Sequence, residues 1–228
     1  MKISIDFKSF KKKGLKRDKG FPIGTRVYKG FMGRGKTYSA VQYITKLQEK
    51  WPKCVIFSNV KIKGLKNYYY CKKDEDIYFG LDYENGENGV ICFIDEAHLF
   101  FNKKTGIPLD VLTQISQQRK ERRKIIFTSQ IWEELDISLR KQVGEIVKCW
   151  NIGNIQINKI SNGETLRWDK NESQYVADTI GIEIFKRNED VANNYDTLQK
   201  IETNEKYNRV IIPTFTVTQT VPKEKKNF

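Results

Sequence analysis

The sequence predicts an α/β fold, a doubly wound and mostly parallel sheet with a small peripheral β-ribbon. Strand-like and helix-like stretches alternate between residues 25 and 150 at spacings suited to βαβ units. Val90-Ile-Cys-Phe-Ile94 is an unbroken apolar run, as expected of a strand covered on both faces. A glycine-rich segment, residues 30–37, lies between the first strand and the first helix.

The elements follow in order. Residues 1–24 read as a basic arm, in which positions 8–19 carry seven Lys and Arg against one Asp and Gly14 interrupts any helix. A strand at 25–29 leads through the glycine-rich segment to a helix at 37–49. Trp51-Pro52 ends that helix, because the residue before proline avoids the helical region. A strand at 54–58 follows, and residues 61–71 extend it or pair with it. Residues 74–83 form a short helix or turn, and 86–89 a loop. Then come a strand at 90–95, a helix at 108–122, a strand at 124–130, a helix at 136–143 and a strand at 145–150. These close a core of residues 25–150. Beyond it, 155–160 alternates, Ser161-Asn-Gly163 has hairpin-turn chemistry and 165–168 returns, giving the ribbon. A helix at 191–201 packs on the core within a second region, 151–210, and residues 211–228 form an extended tail. No internal repeat is present.

Composition bounds the function. A chain of 228 residues supports one substantial core. No run of eighteen apolar residues occurs, so no membrane helix is expected, and the N-terminus lacks the apolar stretch of a signal peptide. Cys54, Cys71, Cys92 and Cys149 show no metal-type spacing and read as buried hydrophobes in a reducing compartment. With one histidine in the chain, a zinc site is disfavoured. The net charge of +13 gathers at 8–19, at 119–124 and at 223–226. Such clusters fit sequence-independent contacts to nucleic-acid phosphates, although solvated charge runs look the same. No base-reading motif accompanies them.

Gly30-Phe-Met-Gly-Arg-Gly35-Lys36-Thr37 matches G-x-x-x-x-G-K-[ST], the P-loop. In that context the backbone of Gly30, Phe31, Met32, Gly33, Arg34 and Gly35 cradles phosphate oxygens, with the helix N-terminus at Lys36, Thr37 and Tyr38 adding its dipole. Lys36 would reach the β- and γ-phosphates and the Thr37 hydroxyl would ligate Mg²⁺. About sixty residues on, Asp95-Glu96 follows the apolar strand. Asp95 would hold Mg²⁺ and Glu96 would polarise the attacking water. The pair implies binding and hydrolysis of a nucleoside triphosphate, with ATP and Mg²⁺ as cofactors. Gln130 ends the next core strand, where it either touches the γ-phosphate or the water, or merely caps a loop.

The series P-loop, Asp95-Glu96-Ala-His98, a Gln-rich helix with Arg119, Phe127-Thr-Ser-Gln130 and Leu139-Arg140 resembles the FtsK/HerA superfamily. Within it, the chain looks most like the zonula-occludens-toxin-like ATPases of filamentous phages and the genome-packaging ATPases of membrane-containing icosahedral viruses. Tyr195-Asp-Thr197 resembles a segment common in the first group. The resemblance spans roughly residues 25–200. It implies a RecA-like core, Gln130 as nucleotide sensor, and a homo-oligomeric ring, usually a hexamer, with an arginine finger donated in trans. Arg119, Arg122, Arg123 and Arg140 are the candidates, of which Arg119 and Arg140 are preferred; an exposed or DNA-contacting cation is the alternative for each. His98 is a neighbour of the site or a packing residue.

The resemblance carries functional expectations. Filamentous-phage assembly ATPases typically continue into a membrane helix where this sequence stops, which favours a packaging motor acting on DNA in the host cytoplasm or at a virion vertex. The alternatives are a soluble ATPase of filamentous-phage assembly or export, held peripherally at the membrane through partners, a nucleotide-controlled scaffold, and a non-translocating P-loop enzyme. Viral capsid or membrane-associated assembly proteins are further expected partners.

Overall fold

The computed structural model describes residues 20–118, 120–171 and 173–195. The basic arm at 8–19, Arg119, the tail and most of the expected 191–201 helix lie outside them. In chain order the elements are β1 (Gly24–Lys29), α1 (Lys36–Lys50), β2 (Val55–Ser58), β3 (Tyr68–Tyr70), α2 (Asp74–Asp82), β4 (Val90–Ile94), α3 (Leu109–Gln117) and β5 (Arg123–Ser129). There follow α4 (Ile137–Lys141), β6 (Val143–Ile152), β7 (Ile155–Asn162), β8 (Arg167–Asp169), β9 (Gln174–Val176), β10 (Thr179–Lys186) and α5 (Glu189–Asn193).

Eight strands form one sheet in the order β10-β7-β6-β1-β5-β4-β2-β3, and β8 pairs with β9 apart from it. From β6 to β3 all neighbours are parallel, whereas β7 and β10 are antiparallel additions. Sequence periodicity explains the two coats. In β4, Val90, Cys92 and Ile94 join one apolar cluster and Ile91 and Phe93 the other. β5 splits likewise, Ile125 and Phe127 against Ile126. Both faces are apolar because both are covered. α1 lays Ala40, Val41, Ile44 and Leu47 on one face; α2 and α3 lay Ile77, Leu81, Val111 and Ile115 on the other. β1 and β4 are separated by β5, so three strand ends converge on the crevice.

The expected hairpin is placed differently. The turn falls at Gly153-Asn154, between β6 and β7, where Ile152 pairs with Ile155 and Gly153 has φ 54°. Gly-Asn is itself a two-residue hairpin signal. It prevails because it lets β7 pair with β6 from Glu145 to Ile152 beside the core. Asn162 instead caps a short 3₁₀ turn by accepting from the Glu164 N–H at 3.1 Å. Residues 167–169 pair with 174–176, so the ribbon is β8–β9, and β7 belongs to the main sheet.

The expected helix at 108–122 ends earlier, and part of the 119–124 basic cluster is internal. α3 ends at Gln117, and Arg123 and Lys124 enter β5 fully buried. Arg123 donates to Glu121 and to the Tyr83 carbonyl at 3.0 Å, and Lys124 donates to Glu145 at 3.2 Å. Arg122 pairs with exposed Glu87 at 3.7 Å. Arg123 and Lys124 are thus committed to internal partners, whereas Lys120 is exposed and Arg122 pairs at the surface.

No helix of the described residues is long and apolar enough to cross a membrane. The four cysteines are free and buried, and burial pushes the Cys92 and Cys149 thiols up to about 12. Neutral thiols of that kind are poor nucleophiles and metal ligands.

Candidate functional site

The parallel strands end at one edge, and their last residues meet there. After β1 the backbone turns through Gly30, Gly33 and Gly35 at φ 154°, 75° and 77°. Only glycine takes such angles freely. A Cβ at Gly30 would stand 2.8 Å from the Cys149 carbonyl oxygen, so side-chain bulk is excluded as well. Phe31, Met32 and Arg34 point their side chains outward, leaving the backbone to face the cradle. Lys36 is buried at the start of α1, its Nζ 3.4 Å from the Phe31 carbonyl.

Asp95 sits one residue beyond β4. The Thr37 hydroxyl donates to its Oδ1 at 2.9 Å and the Thr128 hydroxyl to the same oxygen at 2.6 Å. Asn59, one residue past β2, fixes the Asp95 backbone: its Oδ1 accepts from the Asp95 N–H at 2.8 Å and its Nδ2 donates to the Asp95 carbonyl at 3.0 Å. Burial raises the Asp95 carboxyl above its ordinary range, and the Thr128 and Thr37 hydroxyls oppose that only in part. A buried carboxylate beside a hydroxyl is a hard-oxygen pair suited to Mg²⁺, which takes one or two protein oxygens and fills the rest with water and phosphate. Among the described residues no cage of three or more His, Cys, Asp or Glu side chains exists, and such a site needs none. Thr37 and Asp95 would hold the ion, which supplies charge neutralisation at the phosphates. Thr128 can keep Oδ1 oriented when Thr37 turns away.

Glu96 adopts a left-handed backbone conformation, φ 52°. A non-glycine residue there costs about 1–2 kcal/mol, and such strain persists where the surroundings fix it. Here the Glu96 N–H donates to the Thr128 hydroxyl at 2.8 Å. Gln130 Nε2 donates to Glu96 Oε1 at 2.8 Å, Lys36 Nζ lies 4.0 Å from that oxygen, and His98 Nδ1 lies 3.4 Å from Oε2. His98 is therefore a neighbour of the site. Lys36 Nζ is thus shared between the Phe31 carbonyl and Glu96; a bound γ-phosphate would compete for the ammonium. Two residues beyond Gln130, Trp132 is buried under the same loop, with Lys29 5.5 Å from its ring centroid.

The structure thus gathers Gly30 to Tyr38, Asp95, Glu96 and Gln130. It does not bring Arg140 to them. Arg140 precedes β6 at the opposite end of the sheet, and its guanidinium lies 5.7 Å from the Tyr175 ring centroid. Thr128, Asn59, Gln156 and Arg187 were not singled out from the sequence. For Thr128 a signal existed: in a parallel pair ending at Ile94 and Phe127, the next residues, Asp95 and Thr128, are side by side. Gln156 and Arg187 reach the loop through the antiparallel pairing of β6, β7 and β10; the Gly153-Asn154 turn signals the first hairpin but not which side chains it carries to the loop.

A glycine-rich cradle, a buried hydroxyl–carboxylate pair and an acid aligned on one edge of this sheet give the arrangement of a P-loop NTPase fold of RecA-like kind. In structure the chain is similar to the N-terminal domain of zonular occludens toxin from Neisseria meningitidis, with a TM-score of 0.53 and 17% identity over 76% of this chain and 98% of that one. It is also similar to the genome packaging NTPase B204 of Sulfolobus turreted icosahedral virus 2 in complex with ATP-gammaS, with a TM-score of 0.46 and 14% identity over 72% of this chain and 97% of that one. These are the two kinds of protein that the motifs resemble. At such identities the likeness is one of fold. No protein-family model and no curated protein sequence matches the chain.

Proposed function

We propose that this protein is an ATP-hydrolysing motor of viral type that translocates DNA for genome packaging. The observation that carries hydrolysis is Glu96, held by Gln130 at 2.8 Å beside Lys36 and one residue from the Asp95–Thr37 pair. An acid so placed can orient a water in line with a γ-phosphate. The net charge of +13 supports a polyanionic load. Among the described residues Glu96 and Lys36 contact no arginine, which fits a finger supplied by the next subunit of a ring. Arg119 and Arg140 remain its candidates, and the host cytoplasm or a virion vertex its place of work.

The test is ATPase turnover against protein concentration, with and without each form of DNA, beside a sizing measurement. Turnover should rise with concentration and with DNA. Lys36→Ala should abolish it, and Glu96→Gln should lower it about 10²–10⁴-fold while nucleotide still binds. No effect of either DNA form at low salt would sink translocation and leave a scaffold or a non-translocating enzyme. A second reading, an assembly and export ATPase of filamentous phage, is favoured by the 0.53 TM-score with the zonular occludens toxin domain. Stimulation by single-stranded DNA alone would select it; stimulation by duplex would select packaging.

A further inference from the structure

The P-loop has a second flank, and among the described residues a cation stands there without a counter-ion. Arg187 follows β10, its backbone N–H donating to the Asn154 carbonyl of the β6–β7 turn at 2.7 Å. Its guanidinium donates to Gln156 Oε1, from Nη2 at 2.7 Å and from Nε at 3.1 Å, and lies 5.5 Å from the Tyr38 ring centroid. Gln156 is fully buried and its Nε2 donates to the Arg34 carbonyl of the loop at 3.0 Å. Tyr38 is held in turn, its hydroxyl accepting from the Asn188 N–H at 2.7 Å. A methyl placed on Gly35 would run into both Gln156 Oε1 and the Arg187 guanidinium. Arg187 is therefore pressed against the last glycine of the cradle, on the β6–β7–β10 side of β1. Lys36, Glu96 and Gln130 mark the other side.

Among the described residues no carboxylate forms an ion pair with Arg187; its acceptor is a neutral amide. A half-buried guanidinium is ordinarily matched by negative charge. At a phosphate cradle a ligand would supply such charge. We propose that Arg187 is a nucleotide-binding residue supplied in cis, which leaves Gln156 Oε1 to pair with the α-phosphate while Tyr38 backs its guanidinium. The position fits that end of the ligand, since the γ-phosphate end faces Lys36 and Glu96. The inference rests on the reading of this site as a nucleotide site and adds to it a residue outside the motifs.

The experiment is competition of ATP, ADP and AMP against a fluorescent ADP derivative, for wild type, Arg187→Gln, Arg187→Lys and Arg187→Ala, beside the melting temperature of each nucleotide-free protein. Arg187→Gln keeps a polar donor for Gln156 while removing the charge. It should weaken all three ligands equally, about tenfold to a hundredfold, the range for a lost charge-assisted hydrogen bond, with no loss of melting temperature. Arg187→Lys should recover part of the affinity. Unchanged affinities in Arg187→Gln would overturn the assignment, as would a loss confined to ATP or one seen only in Arg187→Ala together with a lower melting temperature. A wild-type protein that binds none of the three nucleotides would instead defeat the reading of the site itself.

Discussion

Asp95 shows how a single residue can be unfavourable to the fold and yet sit at the centre of the candidate site. Burial holds its carboxyl above the ordinary carboxylate range. The folded chain thus keeps that proton more firmly than the unfolded chain. Stability is full below the unfolded value of 3.8, falls as pH rises through the raised folded value, and stays lower at neutral pH. Asp95→Asn should then raise the melting temperature of the nucleotide-free protein at pH 7, a gain that shrinks on acidification, since Asn Oδ1 can still accept from Thr37 and Thr128. The same variant should lose Mg²⁺-dependent stabilisation by nucleotide. Melting curves across pH, with and without Mg²⁺, check both. A melting temperature that falls at pH 7 would show that the hydrogen bonds to the charged form outweigh its desolvation.

At the scale of elements, the junction of α3 with β5 gives Arg123 a structural role. Arg123 is fully buried, with Glu121 and the Tyr83 carbonyl as partners. Arg123→Ala leaves Glu121 uncompensated and should cost about 3–5 kcal/mol in denaturant unfolding. Nucleotide affinity per folded molecule should be unchanged; lost turnover in fully folded protein would return Arg123 to the finger candidates. This junction also shows what the sequence made legible. Local signals located β1, the P-loop, α1, β4 and β5, because continuous apolar runs and a glycine pattern are written residue by residue. They also gave Lys36, Thr37, Asp95, Glu96 and Gln130. Burial of a charged run is not written locally: the 119–124 stretch reads as surface until β5 is known to begin at Arg123. The hairpin was misplaced for a similar reason. Two glycine–asparagine dipeptides compete, and pairing with β6 decides between them. Thr128, Asn59, Gln156 and Arg187 need strand neighbours before their partners exist.

At the scale of the whole molecule, charge is unevenly spread. Residues 1–19 carry eight Lys and Arg against two Asp. Under the proposed function, removing them should leave basal ATPase intact and reduce stimulation by DNA, and the remaining stimulation should depend less steeply on salt. Equal stimulation with and without the arm would assign DNA contact to the sheet domain. The convergence of strand ends has a further, optical consequence. Of the four tryptophans, Trp132 is buried two residues from Gln130 and faces Lys29, the last residue before the P-loop. An indole beside a cation, two residues from the Gln130 that holds Glu96, changes emission when either moves. Under the proposed function the protein thus contains its own fluorophore for the nucleotide cycle. The nucleotide-dependent part of its emission should vanish in Trp132→Phe and survive in Trp168→Phe, whose indole stacks edge-on against Tyr175 in the β8–β9 ribbon.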